Sequence, residues 1–201
     1  MHRRWILAAG AALFLAGCAG KWEVDYDEGL DPAVTRTWKV TEVIAVAPED
    51  LTVSNVNRMA PNADIVWHGD PPGDRRAQVA RILKAGIERG VSDLNGPRPV
   101  TISASLRHFH SVTPFAVANA PAAVHNIRYV VRVFDSTTGA PITEAQLISA
   151  DLEAFVGASA VTAALQGETQ KARITRHLGH VTRSWLGIGP DQRRQFSGLG
   201  R

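Results

Sequence analysis

The sequence predicts an α+β domain in which a small antiparallel sheet of about four strands carries two helices on one face. Two stretches, 100–107 and 127–133, alternate apolar and polar residues as half-buried strands do. Two others, 79–91 and 174–185, repeat apolar residues every three or four positions as amphipathic helices do. The predicted order is β-α-β-β-β-α, and the short connections in the C-terminal half favour antiparallel neighbours.

A strand and a helix come first in the predicted order. Val40 to Val46 is rich in β-branched residues and ends before Pro48, which predicts a strand. The loop from Pro61 to Asp74 contains a short apolar stretch at 65–67 that is compatible with an edge strand. Asp74 then precedes the helical pattern, where its carboxylate suits the N-cap.

Three strands and a long helix complete the predicted domain. The first two strands are the alternating stretches, and a turn over 135–142 leads to the third strand, Leu147 to Phe155. A single helix is predicted from about Ala158 to Leu186. Its apolar stripe consists of Ile174, Leu178, Val181 and Trp185.

The N-terminus has the order of features found in an export signal. Arg3 and Arg4 precede an apolar run of twelve residues, from Trp5 to Ala16, that is too short to span a bilayer as a helix. The run leads into Leu15-Ala16-Gly17-Cys18, which contains the only cysteine of the chain. The alternative is an ordinary buried cysteine beside an uncleaved anchor.

This box resembles those of bacterial lipoproteins, which are cleaved just before the cysteine. The resemblance implies a diacylglycerol on the Cys18 thiol and an acyl group on its new amino group; two or more chains make such attachment stable. Ala19 and Gly20 follow, and no aspartate stands at the second mature position. By resemblance to enterobacterial sorting signals, this favours the periplasmic face of the outer membrane.

The sequence therefore divides into four segments. Residues 1–17 are the predicted signal peptide, and 18–37 the lipidated N-terminus with an acidic tether. Residues 38–187 are expected to form a single α+β domain, and 188–201 a flexible C-terminal tail. Lipidation of the only thiol would exclude internal disulfides and cysteine catalysis.

The charge of the mature chain is close to balanced. The full sequence has 22 Lys and Arg against 19 Asp and Glu, a net charge of +3. Cleavage removes Arg3 and Arg4 and leaves a net +1. A nucleic-acid partner would need a basic patch and is not expected.

A family resemblance rests on several segments. They are Ala63 to Arg75, Phe109-His110, Asp135 to Gly139, Ala150 to Phe155 and Gly167 to Lys171. This series is similar to an uncharacterised family of short alphaproteobacterial lipoproteins known as a domain of unknown function. More distantly, the element order is similar to small periplasmic lipoproteins that accompany transport or envelope-assembly machinery. The family implies no activity, cofactor or catalytic residue.

Three histidines are the candidate metal ligands. His108 and His110 lie two apart on a predicted strand and share a face, and His125 opens the next strand. Converging imidazoles could bind zinc with a water as the fourth ligand. The alternative is that Leu106, His108 and His110 continue one strand face toward solvent. His177 and His180, three apart on a helix, form a weaker pair.

Two further groups have a structural and a functional interpretation. Asp70 and Asp74, with nearby glycines, could clasp a cation, but a tight turn capped by Asp74 is favoured because the spacing differs from an EF-hand. The basic helix residues are interpreted as a solvated face in preference to a docking surface. They are Lys171, Arg173, Arg176 and Arg183.

Two classes of function follow from these observations. The preferred one is a non-catalytic accessory or interaction module, anchored by lipid in the envelope and bound to an envelope protein. The alternative is a small metal-dependent enzyme or ligand-binding protein that uses the histidine end of the sheet. The sequence contains no H-E-x-x-H, G-x-S-x-G, S-x-x-K, P-loop or G-x-G-x-x-G motif.

Overall fold

Nine strands and five helices form within residues 21–193 and 197–199, the parts of the chain that the computed structural model describes. The strands are β1 (Lys21–Asp25), β2 (Trp38–Val46), β3 (Val53–Ser54), β4 (Ile65–Val66), β5 (Arg98–His110), β6 (Ala123–Asp135), β7 (Gln146–Ala150), β8 (Leu152–Ala154) and β9 (Ser197–Leu199). The helices are α1 (Pro32–Thr35), α2 (Arg75–Val91), α3 (Pro114–Asn119), α4 (Gly157–Leu165) and α5 (Gln170–Trp185).

The sheet is mixed and larger than the predicted four antiparallel strands. β5 pairs in parallel with β2 and β4, and antiparallel with β6; β7 and β1 continue the antiparallel side. The connection from β2 to β5 runs through β3, β4 and helix α2, and a crossover of this kind returns the chain to a parallel neighbour. The α+β class is confirmed, whereas the purely antiparallel arrangement is wrong for this β-α-β unit.

Helices α2 and α5 cover one face of the sheet. The alternating residues of β5 and β6 face them and are buried, among them Ile102, Val131 and Val133. The two helices approach closely at Gly86, where a methyl group would lie 2.4 Å from Cβ of Leu178. The predicted N-cap is present, since Oδ1 of Asp74 accepts from the Ala77 N–H at 3.1 Å.

Two elements predicted as continuous are interrupted. The third predicted strand divides at Asp151 into β7 and β8, which pair with different parts of β6. The long helix divides into α4 and α5, since Gly167 has a φ of +79° and ends the first helix in the left-handed region. Thr169 then caps α5 by accepting from the Ala172 N–H at 3.2 Å.

The segments expected as a tether and a tail pack on the domain instead. β1 joins the sheet beside β7, where Val24 is buried and pairs with Ala150. The Tyr26 hydroxyl lies 2.6 Å from Oγ of Ser184, which accepts from the Gln192 N–H at 2.8 Å. β9 pairs with β1. Within the described residues, β1 and the chain after residue 188 are therefore held against the domain, where the sequence suggested a tether over 18–37 and a flexible tail over 188–201.

Candidate functional site

The predicted anchor lies outside the described residues, and the described chain begins just after it. Leu15, Ala16, Gly17 and Cys18 belong to the part of the sequence that precedes residue 21. β1 starts at Lys21, so only two residues stand between Cys18 and the first strand. A lipid at Cys18 would therefore be joined almost directly to the sheet.

Asp151 fixes β1 to the sheet at the break between β7 and β8. One carboxylate oxygen accepts from the Ile127 N–H at 3.0 Å and from Nδ2 of Asn126 at 2.8 Å. The other accepts from the Glu23 N–H at 3.1 Å. Burial raises the pKa of Asp151 to about 6, although the three hydrogen bonds favour the charged form. This carboxylate thus replaces the strand pairing that is lost at the break.

His108 and His110 lie together on the sheet face opposite α2 and α5. The register between β5 and β6 shifts by one residue between Leu106 and His108, so Arg107 forms a bulge. The bulge turns both histidines away from the buried face that Leu106 occupies. Their ring centroids are 5.7 Å apart, and burial lowers the pKa of each imidazole. Nδ1 of His108 lies 3.8 Å from Oδ1 of Asp64.

His125 faces the helices and does not join the other two histidines. It is fully buried, and its Nδ1 lies 2.9 Å from Oγ of Ser111. Burial, together with the charges of Arg173 and His177, lowers the pKa of His125 to about 3. A metal site of His108, His110 and His125 would need the three imidazoles to converge, and the sheet separates His125 from the other two. Within the described chain, no group of three or more His, Cys, Asp or Glu residues could hold a metal ion.

His177 and His180, the weaker histidine pair, also lie in different environments. Burial lowers the pKa of His177 to about 4, whereas His180 lies exposed on α5. Nε2 of His125, Nε2 of His177 and Nη1 of Arg173 are buried without a hydrogen-bond partner. Because protonation would place charge on buried groups, both buried imidazoles are neutral at pH 7.

The segment from Trp67 to Arg75 forms a turn that joins β4 to the two long helices. Asp70 is the centre of this turn, since one oxygen accepts from Nε1 of Trp67 at 2.8 Å and the other from Nζ of Lys171 at 2.6 Å. The Trp67 ring is fully buried and meets Phe109 edge-on at 5.8 Å. The turn interpretation of Asp70 and Asp74 accounts for these contacts, because both carboxylates are used by the fold.

The basic residues predicted on α5 contact their own chain. Lys171 pairs with Asp70, Arg176 with Glu168, and Arg183 with Asp93 at 2.7 Å. The Arg173 guanidinium stacks over the Phe155 ring at 3.5 Å and donates to the Glu153 carbonyl at 2.9 Å. Because these cations already contact groups of their own chain, little uncompensated charge remains on α5 for binding a partner.

A different surface, which the sequence analysis did not single out, is apolar. Residues 111–124 and 154–167 contain no Asp, Glu, Lys or Arg, although a fifth of the chain is charged. These two stretches hold α3 and α4, which pack together at one end of the sheet, and we call them the apolar end. The sequence indicates this surface by the absence of charged residues from both stretches, which a search for catalytic motifs does not detect.

The apolar end exposes large side chains and encloses a groove. Leu165 is 84% exposed and Val161 61%, four residues apart on α4, and Phe115 and Phe155 are 44% and 38% exposed. A groove of about 360 Å³ lies between α3, α4 and the start of α5; most of its lining is apolar, and Glu168, Lys171 and Arg173 also line it. Large exposed apolar patches on soluble domains mark contacts with proteins or membranes.

A second open feature is the edge strand β2. It pairs with β5 along one side, and among the described strands its other side meets only a single bridge, between Lys39 and Asn95. Nζ of Lys84 donates to the Val43 carbonyl at 2.7 Å on that outer side. Ile44 and Val46 are 42% and 47% exposed. Unpaired edges of this kind can accept a strand from a partner.

Comparison with known proteins places the chain among relatives of undefined activity. A family model described as a family of unknown function (DUF6778) matches residues 38–201. This agrees with the expected resemblance to a domain of unknown function. No curated protein matches the chain. None of the helices in the described parts is both long and apolar enough to cross a membrane.

Three solved structures resemble the chain weakly. Protein XCC0632 of Xanthomonas campestris, described by the family model DUF330, has a TM-score of 0.47 and 16% identity, over 80% of this chain and 88% of that one. A candidate lipoprotein from Caulobacter crescentus has a TM-score of 0.34 and 13% identity, over 79% and 97%. A PelC dodecamer from Paraburkholderia phytofirmans has a TM-score of 0.38 and 11% identity, over 80% and 94%. At these values the resemblance does not extend to function.

Proposed function

The chain belongs to this family of unknown function, and we propose that it is a lipid-anchored accessory protein of the bacterial envelope. In this proposal Cys18 carries the lipid at the periplasmic face of the outer membrane, and the domain acts by binding an envelope protein without catalysing a reaction. Its relatives would be alphaproteobacterial lipoproteins of the same design. The box Leu15-Ala16-Gly17-Cys18 supports the anchor.

The observation that carries the binding role is the open edge of β2. A nine-residue strand leaves backbone N–H and C=O groups along one side, with a single bridge at Lys39. A partner strand could pair there and place apolar side chains against Ile44 and Val46. Natural sheets protect such edges with charge or proline; the stretch from Val43 to Val46 contains neither, and the one ammonium bonded to it, Nζ of Lys84, occupies the Val43 carbonyl.

Site-specific photocrosslinking in living cells tests this role. A photoreactive amino acid replaces Ile44 on the edge strand, and in a matched control it replaces Leu147, which is similarly exposed but lies on the interior strand β7. We expect one discrete crosslinked protein from position 44 and none from position 147. The Ile44→Lys, Val46→Lys double variant, with the label at Glu42, should lose that product because lysines at an edge oppose strand addition.

Two results would contradict the binding role. The same set of abundant envelope proteins from positions 44 and 147 would mean that the products reflect random collision. A discrete product that survives the double lysine variant would mean that the partner binds elsewhere. The Leu147→Lys variant, which changes an equally exposed residue away from the edge, should leave the product unchanged.

A further inference from the structure

The outward face of α4 differs from that of an ordinary surface helix. The exposed positions of α5 are Lys171 and His180, whereas those of α4 include Val161 and Leu165 and carry no charged side chain. These two side chains are one turn apart, so they project together. An amphipathic surface helix turns such a pair toward a core, but here both side chains are largely exposed. An occupant that covers them would therefore come from outside the domain.

The course of the chain before β1 indicates what that occupant is. Trp22 lines a second cavity, of about 310 Å³, together with His108, His110 and residues of the apolar end such as Ala116 and Val124. The N-terminal start of β1 thus lies beside the apolar end. The step from Cys18 to Lys21 can span at most about 11 Å. A lipid on Cys18 would consequently enter the bilayer close to α3 and α4.

The opposite end of the domain is unsuited to a bilayer. There the C-terminal part of α5 and the start of β5 carry ion pairs, Arg183 with Asp93 and Arg98 with Asp135. α1, which holds Asp31 at its N-cap, lies at this end because the Thr35 hydroxyl donates to the Leu186 carbonyl at 2.8 Å. Charged groups of this kind favour water over hydrocarbon.

We propose that the apolar end lies against the lipid bilayer, with Val161 and Leu165 of α4 inserted at the boundary between headgroups and acyl chains. This proposal rests on the lipid anchor of the proposed function and adds the orientation of the domain. Apolar helix faces bind at this boundary to a depth of about 5–10 Å. Phe115 and Phe155 flank the inserted helix, and the domain stands with its ion-paired end in the periplasm.

The test measures how close chosen positions are to lipid. Full-length lipidated protein is reconstituted into phospholipid vesicles at a low ratio of protein to lipid. Leu165→Cys and, as a matched control at the opposite end, Val34→Cys are each labelled with a small fluorophore. Cys18 is the only native cysteine and its thiol is blocked by the lipid, so a single site reacts. Phospholipids with brominated acyl chains then quench fluorophores that reach the bilayer.

We expect brominated lipid to quench the label at 165 several-fold more than the label at 34, and aqueous iodide to show the reverse order. Equal, weak quenching by lipid at both positions would overturn the orientation. A label at 165 that is shielded from iodide but not quenched by lipid would also overturn it, because a second protein copy would then cover α4.

Failure of the anchor is distinguished in the same preparation. The mass of the N-terminal peptide shows whether Cys18 carries lipid before the quenching is measured. Protein without lipid contradicts the proposed function, whereas lipidated protein with unquenched Leu165→Cys contradicts only the orientation. The double variant Val161→Gln, Leu165→Gln provides a further readout, since a lipidated protein bearing it should lose the protection of a label at Phe155→Cys from iodide.

Discussion

The two ends of the sheet differ in charge: one end exposes ion pairs, and the other exposes apolar side chains. At one end, Arg183 pairs with Asp93 and Arg98 with Asp135, so charge is exposed and compensated in water. At the other end, residues 111–124 and 154–167 carry no charged side chain and leave Leu165 84% exposed. One domain therefore presents a surface fit for water and a surface fit for lipid. The predicted lipoprotein box precedes β1, and β1 starts beside the apolar end.

Replacing Cys18 should produce the largest change, because it removes the proposed lipid anchor beside the apolar end. In the Cys18→Ser variant no thiol is available for the diacylglycerol, and the predicted cleavage box loses its cysteine. We expect the uncleaved precursor to accumulate and incorporation of a labelled fatty acid to be abolished. Immunoblotting and fatty-acid labelling measure both effects, and a Ser103→Ala variant serves as the control. A Cys18→Ser protein that is processed and labelled like the native one would contradict the prediction.

Disturbing the contact between α2 and α5 should destabilise the domain that holds both ends together. A methyl group at Gly86 would lie 2.4 Å from Cβ of Leu178, so Gly86→Ala forces the helices apart. We expect a loss of about 1–3 kcal/mol in the free energy of unfolding, measured by urea denaturation. In an exposed helix the same change would stabilise by roughly 0.5–1 kcal/mol, so the sign identifies the packing.

The matched control lies on the solvent side of the same helix. Arg81 is exposed on α2, and Arg81→Ala should change the free energy of unfolding by less than about 0.5 kcal/mol. A Gly86→Ala protein at least as stable as the native one would mean that the two helices are not in close contact.

Acid should weaken the fold through the buried histidine beneath the apolar end. The pKa of His125 is about 3 in the folded state and near 6.5 when unfolded. Between these values the unfolded state binds one proton more, so stability is full above pH 6.5 and falls as the pH decreases. We expect His125→Gln to reduce the slope of stability against pH by about 1.4 kcal/mol per unit between pH 6 and 4.

Urea denaturation of both proteins across this pH range measures the difference in slope. His180→Gln is the control, because His180 lies exposed on α5 and should contribute much less. An unchanged slope in His125→Gln would show that His125 is accessible to protons in the folded state.

Changing the exposed apolar stripe should have the smallest effect on stability. Leu165 makes few contacts within its own domain, since 84% of its surface is exposed. Leu165→Gln should therefore alter the free energy of unfolding by no more than about 0.5 kcal/mol in detergent-free buffer. A loss of several kcal/mol would mean that Leu165 is buried in the fold, and the contrast between the two ends would lose its main support.

Patterns of burial within one element were predictable from the sequence. The helix after Asp74 and the alternating strands at 100–107 and 127–133 occur as predicted, because each follows from the spacing of its own apolar residues. The parallel pairing of β2 with β5 could not be predicted in this way, since a periodic pattern contains no information on strand direction. The connection through α2 was the available sign of a parallel pair.

The arrangement of the candidate histidines could not be predicted from the sequence either, because a local irregularity of β5 changes the face on which two of them lie. A single bulge at Arg107 turns His108 and His110 to the face opposite His125, and alternation counted from Leu106 assigns them to the wrong side. The break at Asp151 was equally hidden, because its carboxylate is bonded by residues distant in sequence, Glu23 and Ile127. By contrast, the uncharged composition of the apolar end could be read directly from the sequence.

Mass spectrometry of the mature N-terminal peptide shows whether Cys18 anchors this domain by lipid. We expect Cys18 to be the first residue and its mass to include a diacylglyceryl group on sulfur and an acyl group on nitrogen. A mature protein that begins elsewhere, or whose Cys18 is unmodified, would rule out the lipid anchor.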